Sequence, residues 1–187
     1  MQVFAYCAEQ FEKSTSKAAG VKPITCPPVN ATSFQPAWLE GKRLLYFDLH
    51  TGRPGADYWL GDFGVIALTA QQVREADLGD AVVFALNCYL ADSDSPMLDA
   101  LLDAGASLVI GGDGQNWAGA RRNLYGAALL GLWFRRLFLA GMNPLKALAW
   151  AKKRLGLSLA KDKAIGKGKR VMAARDTMGF RAYYRRA

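Results

Sequence analysis

The chain has 187 residues, 51% of them hydrophobic and 21% charged, which is the size and composition of one globular domain. This composition excludes wholesale disorder, and since no run of about 18 uncharged apolar residues is present, no membrane span or membrane partner is expected. The net charge of +8 is uneven: residues 152–187 hold 12 Lys or Arg and two acids (+10), and the remaining residues hold 12 bases and 14 acids (−2). The basic character therefore belongs to the C-terminal segment.

Cysteine content and the N-terminal sequence predict the compartment. The three cysteines, Cys7, Cys26 and Cys88, are odd in number and widely spaced, which fits a reducing compartment better than a disulfide framework. The first residues, MQVFAYCAEQFEK, lack the basic lead and apolar core of a signal peptide. We therefore expect a cytoplasmic protein. We divide it into an α/β domain over residues 1–160 and a basic C-terminal segment over residues 161–187, expected to end in a closing strand of the same domain.

In the first half of the chain, short apolar runs alternate with helical or irregular segments. VFAYCA from Val3 predicts a strand, and EQFEKSTSKAAG predicts a helix that ends at Gly20. The four prolines of KPITCPPVNATSFQPAW favour an edge strand or a loop. Leu44–Leu49 is apolar enough for a strand covered on both faces. TGRPGADYWLGDFG is typical of a loop, and VIALTA of a short strand before a helical turn capped by Thr69.

The second half continues the alternation. Ala81–Leu86 predicts a second buried strand, and DSDSPMLDALLDAG predicts a helix with a serine N-cap, a proline at its first position and a glycine stop. ASLVIGG predicts a third buried strand, followed by a long helix over about residues 120–140 and another from NPLKALAWAKKRLG that ends at Gly156. GFRAYYRR predicts the closing strand. Alternating strands and helices over short connections indicate an α/β domain with a mainly parallel central sheet.

The single histidine and one cysteine stand at matching places on two of these strands. RLLYFDLHTG carries His50 at the end of one apolar run, and AVVFALNCYLAD carries Cys88 at the end of the next, 38 residues later. Carboxyl ends of parallel strands gather functional groups, and this separation leaves room for a crossover that makes the strands neighbours. An imidazole can take a proton from a thiol or hold the thiolate as an ion pair. The spacing therefore predicts a Cys–His dyad, although each residue alone also fits a structural role.

Acyl transfer by such a dyad needs hydrogen-bond donors for the developing oxyanion. Gly52, close after the histidine, allows the backbone to approach a substrate carbonyl. The Cys88 amide is a natural second donor. The two stretches together therefore contain the parts of a thiol-dependent acyl-transfer site.

LLYFDLHTG followed by AVVFALNCYLADSDSPMLDALLDAGASLVIGG resembles the core of the caspase-like cysteine peptidase superfamily (clan CD), and bacterial CHAT domains in particular. Trp117, the segment GMNPLKALAWA and the terminal MGFRAYY are similar to later elements of those domains, so the resemblance covers about residues 43–184. It implies a caspase-like three-layer sandwich, with a mainly parallel central sheet flanked by helices.

The resemblance also implies a function, a cysteine endopeptidase (a hydrolase, or thiol protease) acting on a protein or peptide. In such an enzyme His50 is the general base or imidazolium partner and Cys88 is the nucleophile. Gly52 and the Cys88 amide form the oxyanion hole. The mechanism needs no metal and no organic cofactor.

Substrate-binding residues are implied in the same way. Gly111, Gly112 and Asp113 follow the strand that leads to the pocket for the substrate residue before the scissile bond. Asp113 or Asp92 would then favour a basic side chain in that pocket.

One departure from the family pattern keeps an alternative open. The family has His followed directly by Gly, whereas Thr51 intervenes here. The extra residue displaces the oxyanion donor, and a misplacement of ~1 Å can cost ~100-fold in rate. The alternative is a catalytically inactive caspase-fold module that binds a protein partner.

The remaining patterns bear on other functions. The C-terminal segment interleaves cations with aromatic residues, so a nucleic-acid-associated protein is a second alternative, with candidate contacts at Lys167, Lys169, Arg170, Arg185 and Arg186. GGDGQNWAG fails the phosphate-loop patterns, and no C-x-x-C spacing supports zinc. The apolar stretch AALLGLWFRRLFLAG predicts a buried helix or a subunit contact, which leaves an oligomer open.

Overall fold

The computed structural model describes residues 2–92, 94–116, 124–161 and 179–184. Its strands are β1 (Val3–Ala8), β2 (Ile24–Cys26), β3 (Leu44–Asp48), β4 (Tyr58–Leu60), β5 (Ile66–Thr69), β6 (Val82–Ala85), β7 (Leu108–Gly112) and β8 (Phe180–Tyr184). Its α-helices are α1 (Glu12–Ala19), α2 (Ala70–Arg74), α3 (Pro96–Asp103), α4 (Gly126–Leu139) and α5 (Pro144–Lys161).

Six of the strands form one sheet in the order β2-β1-β3-β6-β7-β8. All neighbours in it are parallel except β8, which runs antiparallel to β7. The strands β4 and β5 form a separate antiparallel hairpin between β3 and β6 in the chain. The sheet thus has parallel strands at its centre, with their carboxyl ends along one edge.

Helices cover both faces of this sheet, because successive side chains of each central strand point to opposite sides. On one face Leu45, Phe47 and Val83 pack in a core with residues of α2 and α3. On the other face Leu44 and Tyr46 pack with residues of α1, α4 and α5. Burial on both sides explains why the central strands are almost uninterrupted apolar runs. The predicted α/β class with a mainly parallel sheet is confirmed, and the layering is compatible with a three-layer sandwich.

Several predicted helix boundaries are confirmed by their capping groups. At the start of α3 the Ser95 hydroxyl accepts a hydrogen bond from the Leu98 amide at 3.3 Å. At the start of α2 Thr69 and Gln72 form a reciprocal capping box. Gly20 ends α1 in the left-handed conformation, with a φ of 71°.

Two boundary predictions are wrong. The helix α5 passes through Gly156 and ends at Lys161. Gly156 faces solvent with nothing within 4 Å of a Cβ built on it, so it weakens the helix without the left-handed turn that would end it. The predicted loop TGRPGADYWLGDFG contains β4, whose three residues are too few to show an alternating pattern; Trp59 anchors that strand in the core at 1% exposure.

The long helix predicted over about residues 120–140 is α4, which begins at Gly126; residues 117–123, with Trp117, lie outside the described residues. In the described ranges, no helix has the length and apolar character that a membrane crossing requires.

Candidate active site

His50 and Cys88 follow neighbouring strands of the sheet. The strands β3 and β6 pair in parallel, with Phe47 opposite Ala85, and extending that register by three residues brings His50 opposite Cys88. Both residues are partly exposed. The predicted adjacency of their two strands therefore agrees with the observed topology.

The contacts of both side chains lie on the face of the sheet that carries α1. The His50 ring centroid is 5.1 Å from that of Phe11, in the short 3-10 turn that leads into α1. The Cys88 sulfur contacts Asn116, whose carboxamide lies over Gly112. By alternation Gly112 shares the face of Leu108 and Ile110, which pack with the α1 side of the core. The two side chains are therefore on the same side of the sheet edge.

The two strands separate just before they reach these residues. The last backbone bond between them runs from the Leu86 amide to the Phe47 carbonyl at 2.8 Å. At the next position the Leu49 amide donates to the side-chain oxygen of the fully buried Asn87, at 3.4 Å. Because a side chain replaces the backbone partner there, the backbone pairing of the two strands ends before His50 and Cys88.

Gln10 and Asp62 hold the His50 ring at its Nε2 atom. The side-chain nitrogen of Gln10 lies 2.8 Å from His50 Nε2 and donates to Asp62 Oδ1 at 2.7 Å. The backbone amide of Gln10 donates to Asp62 Oδ2 at 2.7 Å. Asp62 Oδ1 is itself 3.6 Å from His50 Nε2, and the Asp62 side chain is only 11% exposed. The donor and acceptor roles of the Gln10 nitrogen and His50 Nε2 depend on the tautomer of the ring.

The backbone of His50 is fixed by the hairpin. Its amide and carbonyl exchange two 2.8 Å hydrogen bonds with Leu60 of β4. In β3, Leu44 points its backbone groups toward the β1 side and Phe47 toward the β6 side, so by alternation those of His50 point toward β1. The hairpin thus continues the sheet past the end of β1, on the side of His50 away from β6.

Cys88 is held from the β7 side. The backbone amide of Asn116 donates to the Cys88 sulfur at 3.4 Å. The Asn116 side-chain nitrogen donates to the carbonyls of Leu86 and Asn87 at 3.1 and 2.8 Å. The Cys88 thiol also donates to the Asn116 carbonyl at 4.0 Å, so Asn116 contacts the sulfur through both of its backbone groups, and its two side-chain bonds fix the chain that leads to the sulfur. A Cβ built on Gly112 would overlap the Asn116 carboxamide, so Gly112 makes room for this clamp.

The chain reverses immediately after the cysteine. Tyr89 has a φ of 58°, a conformation that a bulky residue rarely adopts. Its amide donates to the Gly114 carbonyl at 2.9 Å, and the Ala91 amide donates to the Gly112 carbonyl at 3.0 Å. The segment after Cys88 therefore runs back along the end of β7, and strain of this kind clusters at functional sites.

The predicted substrate-binding residues lie along the same segment. Gly111 packs under Leu90: a Cβ on it would come within 2.8 Å of the Leu90 side chain. The Asp113 carboxylate pairs with Arg181 of β8 at 2.8 Å, so a substrate cation would compete with an internal partner. Asp92 is partly exposed, and its amide donates to the Tyr89 carbonyl at 3.3 Å. Gly111–Asp113 and Asp92 thus lie on the Cys88 side of the site, at the end of β7 and in the segment after Cys88.

The predicted oxyanion donor Gly52 lies on the other side. It is exposed in the bend after His50, and a Cβ on it would meet the Leu60 and Tyr58 side chains at 3.4 and 3.9 Å. The Thr51 hydroxyl is buried and has no hydrogen-bond partner among the described residues. The extra residue therefore turns into the protein and leaves Gly52 facing solvent.

A buried carboxyl group lies two residues before His50. Asp48 is 2% exposed, and the Thr15 hydroxyl of α1 donates to it at 2.7 Å. Burial raises the pKa of Asp48 to about 7, and the Thr15 bond offsets part of that rise. Burial also raises the pKa of the neighbouring Cys7 thiol and the Tyr46 hydroxyl, with the Asp48 charge as a second cause for both. Negative charge on Asp48 is therefore disfavoured at this end of β3.

Three residues of the site carry no recognisable signal in the sequence: Gln10, Asp62 and Asn116. Gln10 follows β1 and Asn116 follows β7, so the rule that led to His50 and Cys88 also applies to them once the strand order is known. Asp62 lies in a hairpin whose first strand falls in a predicted loop. The nucleic-acid candidates Lys167, Lys169, Arg170, Arg185 and Arg186 lie outside the described residues.

No protein-family model matches the chain, and no curated protein matches it.

Proposed function

We propose that this protein is a cysteine endopeptidase of caspase-like fold in which Cys88 is the nucleophile and His50 its proton partner. The observation that carries the proposal is the arrangement of β3 and β6. Neighbouring parallel strands lead to an imidazole and a thiol at matching positions on the same face of the sheet. The chain order also supports it: His-bearing strand, Cys-bearing strand, helix α3, glycine-ending strand β7 and a closing strand β8.

In the proposed reaction the Cys88 proton passes to the His50 ring, and the thiolate sulfur bonds to the scissile carbonyl carbon. The oxyanion collapses, the C–N bond breaks, and the imidazolium gives its proton to the leaving amine. Water then attacks the thioester while His50 accepts one of its protons. The C–S bond breaks and the departing thiolate takes the proton back from the imidazolium, which regenerates the free enzyme.

Gln10 and Asp62 act as positioning residues for the imidazole. Their contacts all use Nε2, so Nδ1 is the ring nitrogen that remains for the substrate side, and the proposed proton transfer requires the neutral tautomer whose hydrogen is on Nε2. When the ring becomes cationic, both nitrogens carry hydrogen and Nε2 faces the largely buried Asp62 carboxylate. The Asp62 carboxylate, 3.6 Å from Nε2, holds the orientation of the ring in this form.

Asn116 and the turn after Cys88 are proposed to serve the sulfur. The Asn116 amide stabilises negative charge on it, and the left-handed turn at Tyr89 presents the thiol at the start of a chain reversal. The Cys88 amide and Gly52 supply the oxyanion donors, one from the segment after β6 and one from the segment after β3.

The test is cleavage of an unfolded protein, such as reduced casein, by the purified chain, by Cys88→Ala and by His50→Ala, in the presence of a metal chelator. The proposal expects cleavage by the wild type only, with accumulation of a covalent thioester that mass spectrometry detects on Cys88. A folded wild type that cleaves nothing and shows no reactive Cys88 would contradict it and favour the inactive binding module.

A further inference from the structure

The turn between β4 and β5 contains an aromatic residue in an unfavourable place. Phe63 has φ 59° and ψ 21°, and Gly64 follows with a φ of 72°. The Val65 amide donates to the Asp62 carbonyl at 3.2 Å, which closes a two-residue hairpin turn with both central residues left-handed. Such a turn favours Asn-Gly, because a bulky residue at its first position is strained.

Packing does not explain this choice. The Phe63 side chain is 90% exposed, the largest value among the exposed large hydrophobic residues of the described ranges. Ile66, at the start of β5, is also exposed, at 43%. A residue that is both strained and solvated costs folding stability twice, so its role lies in a contact outside the fold.

The turn borders the candidate active site. Asp62, the residue before Phe63, holds Gln10 and approaches His50 Nε2, and Leu60 pairs with the His50 backbone. This hairpin lies on the β1 side of His50, whereas Cys88 lies on the β6 side. Phe63 is therefore in the turn next to Asp62, on the side of His50 away from Cys88.

The proposed reaction predicts which part of the substrate lies on this side of His50. The imidazolium must deliver its proton to the leaving nitrogen, so the peptide on the carboxyl side of the scissile bond lies next to His50. We propose that Phe63 forms a binding subsite for an apolar side chain in the first or second residue after the scissile bond. The subsite rests on the proposed peptidase function and adds a preference on the leaving-group side to it.

The test uses Phe63→Asn, which restores a residue favoured in this turn, and Leu145→Asn as a control, since Leu145 is 42% exposed on α5, remote in sequence from the hairpin. Each protein digests a proteome-derived peptide mixture, and mass spectrometry identifies the residues on both sides of every cut. Thermal unfolding and iodoacetamide labelling of Cys88 are measured on the same samples.

We expect the wild type and Leu145→Asn to be enriched at least ~3-fold for apolar residues after the cut, and Phe63→Asn to lose this enrichment while keeping its preference before the cut. Phe63→Asn should unfold at the same temperature as the wild type or higher. Unchanged enrichment in Phe63→Asn, or a lower unfolding temperature, overturns the subsite alone. A wild type that cuts nothing also overturns it, and the Cys88 labelling then shows whether the proposed chemistry fails as well.

Discussion

Asp48→Asn should change how the stability of this protein depends on pH. Asp48 is 2% exposed, and its pKa of about 7 in the fold compares with 3.8 for the free side chain. A group whose pKa is raised in the folded state binds more protons there than in the unfolded chain. The free-energy cost of ionising Asp48 in the fold is absent below the pKa of the unfolded chain. It grows as the pH rises from that pKa to the pKa of the folded state. Folding stability should therefore fall between pH 4 and pH 7.

The size of the effect can be worked from the same two values. About three pKa units at 1.36 kcal/mol per unit give a loss of about 4 kcal/mol by pH 7, with little further change above pH 8. This is a large fraction of the 5–15 kcal/mol that stabilises a typical domain. Asparagine keeps the acceptor for the Thr15 hydroxyl and carries no charge, so the variant should lack this slope.

The assay is urea unfolding at pH 4, 5, 6, 7 and 8 for the wild type, for Asp48→Asn and for Asp57→Asn, a control at an exposed aspartate. The difference between wild type and Asp48→Asn should change by about 4 kcal/mol across the series, whereas Asp57→Asn should behave like the wild type. A difference that stays constant with pH would show that the Asp48 carboxyl is ionised in the fold, and would refute the reasoning.

Three further substitutions test other parts of the site and the fold. Gly112→Ala forces the Asn116 carboxamide aside and should lower the alkylation rate of Cys88 at least ~10-fold in a folded protein. The reason is that displacing a group of a reactive site by ~1 Å can lower its rate that much. An unchanged alkylation rate would show that Asn116 has no role in the site. Asp62→Asn keeps an acceptor for Gln10 but removes the charge near the imidazole, and should lower peptidase activity about 10-fold, corresponding to ~1.4 kcal/mol; equal kcat would leave Asp62 without a positioning role. Gly156→Ala should raise the free energy of unfolding by about 1 kcal/mol, since the residue is an exposed helix-interior glycine, and a decrease would mean that α5 ends there after all.

The sequence was sufficient for elements with strong local signals. The start of α3 is set by its own serine cap and proline, and the structure has the helix begin there. The apolar runs of β3 and β6 reflect burial on both faces of the sheet, and the structure has both as buried strands. The prediction that the last helix ends at Gly156 was wrong because a glycine ends a helix only where the chain adopts a left-handed turn. That turn depends on the tertiary contacts of the residues beyond it.

The candidate site was only half visible for a related reason. His50 and Cys88 stand out as the single histidine and a strand-end thiol, whereas Gln10, Asp62 and Asn116 are common polar residues in segments far apart in the chain. They meet only because β1 and β7 flank the two central strands and the hairpin extends past β1. Strand order is a non-local property, and a three-residue strand such as β4 is too short to show a period.

The most direct test of the Cys88–His50 pair is the rate at which iodoacetamide alkylates each cysteine at pH 6, resolved by peptide mass spectrometry. The chain supplies its own references, since Cys7 and Cys26 are fully buried and burial raises the pKa of both thiols. An ordinary thiol is ~0.3% thiolate at pH 6. We predict that Cys88 reacts at least ~10-fold faster in the wild type than in His50→Ala, and faster than either buried cysteine in both proteins. Equal rates for Cys88 with and without the imidazole would contradict the account.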